Sequence, residues 1–149
     1  MTEPQQQTLA GEVTLEGVGL HTGQPAHVRF LPAEPGTGIR FRRIDLEGRP
    51  EVPATLEHVV SSDRGTTLGA GDARVHTVEH LLAAAAASEL DNLWVELDGP
   101  EVPIVDGSFQ PFFDLFARAG RSSQGVAARV IRLESPLCVE ARGGASYVA

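Results

Sequence analysis

The first third of the chain alternates apolar and polar residues with the two-residue period of half-buried β-strands. This alternation predicts strands at residues 8–16, 26–31, 38–44 and within 51–60. Gly11 marks a bend or a bulge in the first of these strands. Because only turns separate the first three strands, they predict an antiparallel meander.

The pattern then changes to the longer period of amphipathic helices. Residues 76–90 place apolar side chains on one helical face, and residues 93–97 return to strand-like alternation. A second helix is predicted over residues 108–119, with Ser108 as its N-cap and Gly120 after its last turn.

The two ends of the chain differ from this central part. Residues 121–125 resemble a linker, and strand-like segments at 128–133 and 137–141 have no helix to cover them. We therefore expect a disordered tail over residues 1–7, a first domain over 8–124 and the truncated start of a second domain over 125–149.

Composition narrows the function classes. A chain of 149 residues with 42% hydrophobic and 21% charged residues is typical of a globular domain with a real core. Its net charge of -8 argues against a general nucleic-acid binder. The basic cluster at residues 40–43 is either a phosphate contact or a solvated strand edge.

Cysteine content limits the possible disulfides and metal sites, and hydropathy argues against a membrane span. Cys138 is the only cysteine, so an intrachain disulfide and a zinc site built from several thiolates are excluded. No apolar run is long enough to span a bilayer, and the polar N-terminus lacks the order of a signal peptide. A cytoplasmic location is therefore expected.

Residues 76–80, His-Thr-Val-Glu-His, have the strongest chemical character in the chain. If they are helical, His76 and His80 share one face, and Glu79 can reach a water on a metal held there. The spacing also matches the H-x-x-E-H pattern of inverted zinc proteases. The alternative is a pair of solvated histidines near a helix start, since short motifs often match by chance.

Residues 17–23, Gly-Val-Gly-Leu-His-Thr-Gly, form a glycine-rich loop. Three glycines in seven residues allow backbone N–H groups to approach a ligand closely. A tight connection between strands is the simpler interpretation. A second polar loop is predicted at residues 61–67.

Several motifs, in this order, resemble the family of UDP-3-O-acyl-N-acetylglucosamine deacetylases, the zinc enzymes called LpxC. The resemblance covers about residues 8–120. Its motifs are the loop at 17–23, Arg42-Arg43 with Asp45 and Pro53-Ala54, the segment 77–84, Asp91-Asn92, and 101–108 with Pro111-Phe112.

This resemblance implies an α+β fold: a mainly antiparallel sheet with helices packed on one face, similar to domain 2 of ribosomal protein S5. Such a unit is one half of a two-domain α/β sandwich, with the active site between the halves. The implied activity is zinc-dependent deacetylation of UDP-3-O-(3-hydroxyacyl)-N-acetylglucosamine. The reaction releases acetate and commits the sugar to the lipid A of lipopolysaccharide in Gram-negative bacteria.

The resemblance also implies residue roles. His80 matches a zinc ligand, and Glu79 matches the carboxylate that activates water on the Zn²⁺ ion. Thr66 and Thr67 match a polar segment near the substrate. Two residues lie in the family's signature loops and are candidates for substrate contact and for support of the site, with loop roles left open: His21 and Asp106. His76 falls where the motif fixes no residue, which favours a helix-start or surface histidine.

The family takes its other two zinc ligands from a downstream H-x-x-x-D helix, and this sequence ends before that helix. We therefore expect an N-terminal half that needs a complementing C-terminal half for activity. One alternative is a non-catalytic half-domain that binds UDP-sugar or pairs with another chain. Another is a self-contained metallopeptidase that uses His76 with one downstream acid: Glu89, Glu96 or Glu101.

Overall fold

A computed structural model describes residues 3–136, 138–140 and 146–148. The strands are β1 (Gln5–Leu9), β2 (Val13–Val18), β3 (Pro25–Pro32), β4 (Ile39–Arg43), β5 (Glu51–Pro53), β6 (Val59–Ser61), β7 (Thr67–Ala70), β8 (Ala73–Val75), β9 (Leu93–Leu97), β10 (Arg121–Ala127), β11 (Cys138–Glu140) and β12 (Ser146–Val148). The helices are α1 (Glu79–Ala87) and α2 (Gln110–Ala119), with a 3₁₀ turn at Leu56–His58. Neither helix combines the length and apolarity needed to cross a bilayer.

The main sheet has five strands in the order β2-β3-β9-β4-β5. All neighbours are antiparallel except β4 and β9, which run parallel. The predicted meander of the first three strands is therefore wrong, because β9 lies between β3 and β4. The physical reason is burial: Leu93, Val95 and Leu97 are fully buried, and such an apolar strand belongs in the centre of a sheet.

Both helices pack on one face of this sheet. Phe30 of β3 is fully buried and makes an edge-to-face contact with Phe116 of α2 at 5.1 Å between ring centroids. Leu81 of α1 and Phe112 of α2 complete the same core. The α+β class with helices on one face is thus confirmed.

The opposite face of the sheet carries ion pairs. Glu96 accepts hydrogen bonds from Arg29 at 2.7 Å and from Arg42 at 3.1 Å, and Arg42 also lies over the ring of Trp94. Arg43 pairs with Asp45 at the strand end. The basic cluster at residues 40–43 is therefore an ion-paired strand, and its arginines are engaged within the protein.

The N-terminal residues form structure that the sequence did not indicate. Gln5–Leu9 pairs antiparallel with Arg121–Ala127, so a tail over residues 5–7 and a linker over 121–125 are wrong. The backbone N–H of Gln7 also donates to Asp91 at 2.7 Å. These strands are rich in polar residues because β10 is largely exposed, and their stability comes from backbone pairing.

Two smaller sheets complete the described part of the chain. Strands β6, β7 and β8 form an antiparallel sheet that leads into α1. Strands β11 and β12 pair with each other, and β11 lies within the predicted strand at 137–141. Residues 128–133 are described and form no strand, contrary to the sequence pattern. The domain boundary near residue 125 stays a prediction.

Candidate functional site

The glycine-rich loop wraps around the carboxylate of Glu101. Both oxygens of Glu101 accept from the backbone N–H of His21, at 3.0 and 3.2 Å, and Oε2 also accepts from the N–H of Thr22 at 2.8 Å. The hydroxyl of Thr77 donates to Oε1 at 2.7 Å. The loop therefore does bring backbone N–H groups to an anion, and this anion is a side chain of the same protein.

Gly19 is required by this arrangement. A Cβ atom at Gly19 would overlap with Oε2 of Glu101 and with the hydroxyl of Thr22. Only glycine allows the backbone to pass so close to the carboxylate.

The hydrogen bonds keep Glu101 ionised although its side chain is only 1% exposed. Burial acts to raise the pKa of the Glu101 carboxyl, but donation from His21, Thr22 and Thr77 outweighs it and lowers this pKa to about 2. A buried carboxylate with four donor contacts is a structural anchor, and its oxygens are not free to bind a metal.

Thr77 sets the start of α1. Its φ is 60°, a left-handed conformation that β-branched residues rarely adopt. The preceding residue, His76, is extended: its N–H donates to the carbonyl of Pro100 at 2.8 Å and its carbonyl accepts from Val102 at 3.1 Å. The predicted helix over 76–90 thus begins three residues late, at Glu79.

This start contradicts the metal interpretation of the H-x-x-E-H spacing. His76 lies in an extended segment while His80 lies in the helix, so the two do not share a helical face. His76 instead faces the hydroxyl of Thr67, at 3.0 Å from Nδ1. Burial lowers the pKa of His76, with Arg43 and His21 acting in the same direction and the Glu101 charge opposing them, and this favours the neutral ring.

Glu79 is the first residue of α1 and is held by the neighbouring loop. Its Oε1 accepts a hydrogen bond from the backbone N–H of Thr66. Its Oε2 is buried and has no hydrogen-bond partner in the described structure. Nε2 of His21 and Oε1 of Glu79 both lie within 3.6 Å of the position that a Cβ at Gly65 would occupy. The backbone of Thr66, the ring of His21 and the carboxylate of Glu79 therefore lie around the same loop residue, Gly65.

His80 follows Glu79 and lies near Asp106. Nδ1 of His80 is buried and also lacks a partner within the described residues. Ser108 donates its N–H and its hydroxyl to Oδ1 of Asp106, both at 2.9 Å. These bonds lower the pKa of the Asp106 carboxyl, and the nearby His80 makes a smaller contribution in the same direction. Asp106 thus has the structural loop role and also lies within electrostatic reach of His80.

A cleft of about 230 Å³ is lined in part by Gly65, the residue close to Oε1 of Glu79. Its walls come from the glycine-rich loop, the segment around the start of β7 and the residues just before α1: His21, Thr22, Asp63, Arg64, Gly65, Thr67, His76 and Thr77. The cleft brings the candidate substrate residues His21 and Thr67 into one site, while Thr66 contributes its backbone to Glu79.

A complete zinc site is not present among the described residues. They contain no group of three or more His, Cys, Asp or Glu that could hold a metal ion. A catalytic zinc site needs about three protein ligands, and the buried Nδ1 of His80, which has no partner in this part of the chain, belongs to a residue that fits one of them.

The metallopeptidase alternative is contradicted by the positions of its three candidate acids. Glu89 pairs with Arg121 at the far end of α1. Glu96 lies on the outer face of the sheet, and Glu101 is saturated with hydrogen bonds. The sequence pattern did not indicate the anchoring role of Glu101. The one signal for it was the glycine-rich loop, because backbone N–H groups of such a loop can bind a carboxylate of the same chain.

Comparisons with known proteins find sequences similar to this chain. The sequence profile of the family described as "UDP-3-O-acyl N-acetylglycosamine deacetylase" (LpxC) matches residues 6–149. A UDP-3-O-acyl-N-acetylglucosamine deacetylase of a Geobacter species is 45% identical over 134 residues, which are 90% of this chain and 44% of the relative. The equivalent protein of Brucella melitensis biotype 2 is 45% identical over 136 residues, covering 91% of this chain and 48% of the relative.

A third relative is the "Bifunctional enzyme LpxC/FabZ" of Chlorobaculum tepidum, 48% identical over 119 residues, which are 80% of this chain and 26% of that protein. The chain thus spans less than half the length of these three curated relatives. The profile match covers nearly all of the chain and the motifs lie in the geometry described above, so the chain belongs to the family of UDP-3-O-acyl N-acetylglycosamine deacetylases.

Proposed function

We propose that this chain carries the N-terminal half of a zinc-dependent deacetylase site that acts on UDP-3-O-(3-hydroxyacyl)-N-acetylglucosamine. The observation that supports this proposal most directly is the adjacency of two buried, unpartnered polar atoms, Oε2 of Glu79 and Nδ1 of His80. Buried polar groups are normally paired, so two such atoms in consecutive residues point to a ligand that binds there.

The chemistry follows from these positions. Bound Zn²⁺ supplies Lewis-acid activation of a water molecule near neutral pH. His80 is the residue of this chain that would hold the ion, and Glu79 is the general base. The Thr66 N–H fixes Oε1 of Glu79, which leaves Oε2 as the oxygen that takes the proton from the attacking water and delivers it to the leaving amine.

The cleft supplies a place for the substrate. His21 and Thr67 line it, and Arg64 adds a positive side chain at its rim. We propose that these groups contact the polar part of the UDP-sugar, with the remaining zinc ligands supplied by a complementing C-terminal half. Acetate release at this site is the committed step of lipid A synthesis, and the cytoplasm is the proposed compartment.

A second candidate is a non-catalytic half-domain that binds UDP-sugar or pairs with another chain. It is favoured by one observation: the part of the chain that the structure describes holds no three-residue metal cluster. The two candidates differ in whether a C-terminal half creates activity.

The deciding experiment is an acetate-release assay with Zn²⁺ and UDP-3-O-acyl-N-acetylglucosamine. The purified chain is assayed alone and together with a separately made C-terminal half of the Geobacter relative. We expect no turnover alone and clear turnover in the mixture. If the mixture stays inactive while a full-length relative works in the same assay, the non-catalytic candidate is favoured. If the chain works alone, the proposed need for a second half is wrong.

A further inference from the structure

The Glu101 carboxylate joins two segments that are far apart in sequence. It accepts from His21 and Thr22, about 80 residues earlier, and from Thr77, 24 residues earlier. The contact with Thr77 is buried. A single anion therefore connects the glycine-rich loop to the segment that precedes α1.

Thr77 needs such a connection because its backbone is strained. A left-handed φ of 60° is unfavourable for a β-branched residue unless the surroundings hold it. The hydroxyl of Thr77 is fixed by Glu101, and the backbone of His76 is fixed by Pro100 and Val102 on either side of Glu101. These restraints turn the chain so that α1 begins two residues later, at Glu79.

The other end of the connection also reaches the site. The backbone N–H of His21 is held by Glu101, while Nε2 of His21 and Oε1 of Glu79 lie 3.6 and 3.4 Å from the Cβ position at Gly65. The same carboxylate therefore contacts both the backbone of His21 and the segment that leads into Glu79.

We propose that Glu101 is a positioning residue: its buried carboxylate holds Thr77 in the left-handed conformation and holds the loop at residues 19–22 beside it, which fixes where α1 begins and therefore the position of Glu79. This inference rests on the proposed function for its catalytic consequence, because the position of Glu79 affects turnover only if Glu79 is the general base. The conformational part can be measured without turnover.

The competing explanation is that Glu101 only stabilises the fold. A residue of that kind lowers stability when changed, but the folded fraction keeps its normal kcat. A positioning residue lowers kcat in the folded protein itself. The variant Glu101→Gln keeps the shape of the side chain but removes its charge and replaces one of its two acceptor oxygens by an NH₂ group, so the four hydrogen bonds can no longer all form and the connection is weakened.

Thr8, in β1, provides a matched control outside the cleft lining. Thr8 is also buried, and its hydroxyl donates to the carbonyl of Asn92 at 2.7 Å and accepts from the N–H of Ala33 at 2.9 Å. Thr8→Val therefore breaks a buried hydrogen-bond bridge of similar kind away from the cleft.

The first measurement is hydrogen–deuterium exchange on the metal-free chain. We expect amides of residues 19–22 and 76–80 to exchange at least about tenfold faster in Glu101→Gln and to be unchanged in Thr8→Val. The second is turnover of the complemented protein, where we expect kcat to fall at least about tenfold for Glu101→Gln only, and KM to rise as well because His21 and Thr22 line the cleft. Unchanged exchange at residues 76–80, or an unchanged kcat, overturns the proposal.

A second substitution tests the mechanism itself. Glycine adopts a φ of 60° without strain, so Glu101→Gln combined with Thr77→Gly should recover at least about threefold in kcat over Glu101→Gln alone. No recovery overturns the role assigned to Thr77. If Glu101→Gln does not fold, Thr77→Val removes one arm of the connection and must show the same exchange and kcat pattern.

These readouts separate the two proposals. If the unsubstituted chain mixed with the C-terminal half releases no acetate, the proposed function is contradicted. Hydrogen–deuterium exchange in Glu101→Gln still decides whether Glu101 controls the start of α1.

Discussion

The carboxylate of Glu79 accepts a hydrogen bond from the backbone N–H of Thr66 through Oε1, while its Oε2 is buried with no partner in the described structure. One oxygen therefore fixes the orientation of the side chain, and the other is the oxygen available to the proposed general base. A carboxylate held in this way keeps its geometry during proton transfer, which is what a general base requires.

Glu79→Gln tests this division of roles. The glutamine oxygen can still accept from Thr66, so the side chain keeps its place but can no longer take a proton. We expect turnover in the complemented protein to fall by about 10²–10⁴-fold, the usual contribution of a general base. Zinc content should not change, because His80 is intact. Acetate release measures the turnover, and metal analysis measures the zinc content.

The control for that experiment is Glu12→Gln. Glu12 is half-exposed and lies 3.5 Å from Arg29 on the outer face of the sheet. Its variant should have normal turnover. Normal turnover in Glu79→Gln as well would remove Glu79 from the mechanism.

Gly19→Ala should be strongly destabilising because the new methyl group would overlap with Glu101 and Thr22. Overpacking of this kind costs about 1–3 kcal/mol in the free energy of unfolding. Urea denaturation of the purified chain measures the loss. The matched variant is Gly11→Ala, where a Cβ meets nothing within 4 Å and stability should change by less than about 0.5 kcal/mol. Equal losses in both variants would contradict the close packing of Gly19 on Glu101.

The strands of the main sheet were predictable where one face is buried. Ala26, Val28 and Phe30 are buried and alternate with exposed residues, which gives β3 the two-residue period directly. The apolar face of the first helix was visible for the same reason. A strand or helix with one buried face has apolar residues at the matching period in its sequence, so such elements can be predicted from sequence.

Features that depend on distant partners were not predictable from periodicity. β10 is polar and exposed, and only its pairing with β1, more than 110 residues away, makes it a strand. The start of α1 depends on Thr77, whose left-handed backbone is unfavourable locally and is held by Glu101. For the site, the resemblance supplied Glu79 and His80, whereas the anchor that orients them lies in a loop whose sequence shows only an acidic residue between two prolines.

Phe30→Ala should weaken the contact between the main sheet and α2. Phe30 is fully buried and lies edge-to-face with Phe112 and Phe116, at 6.3 and 5.1 Å between ring centroids. Removing a buried phenyl ring typically costs about 3–5 kcal/mol, which thermal and urea denaturation will detect. Leu56→Ala is the control, since Leu56 is 88% exposed and its loss should cost under about 0.5 kcal/mol. A small effect of Phe30→Ala would mean that α2 packs on the sheet without this ring.

The ionisation of Glu101 predicts a specific loss of stability in acid. Hydrogen bonds lower the pKa of its carboxyl in the folded protein from 4.5 to about 2, so the stabilisation is complete above pH 4.5 and is lost as the pH falls from 4.5 towards 2. A pKa change of this size corresponds to about 3 kcal/mol. Glu101→Gln has no charge to lose, so the difference in unfolding free energy between the original chain and this variant should shrink by about that amount between pH 5 and pH 2. Urea titrations at a series of pH values measure this difference, and comparison with one variant cancels the titration of the other carboxyls. A difference that stays constant over this range would mean that Glu101 is not held as a carboxylate by the loop.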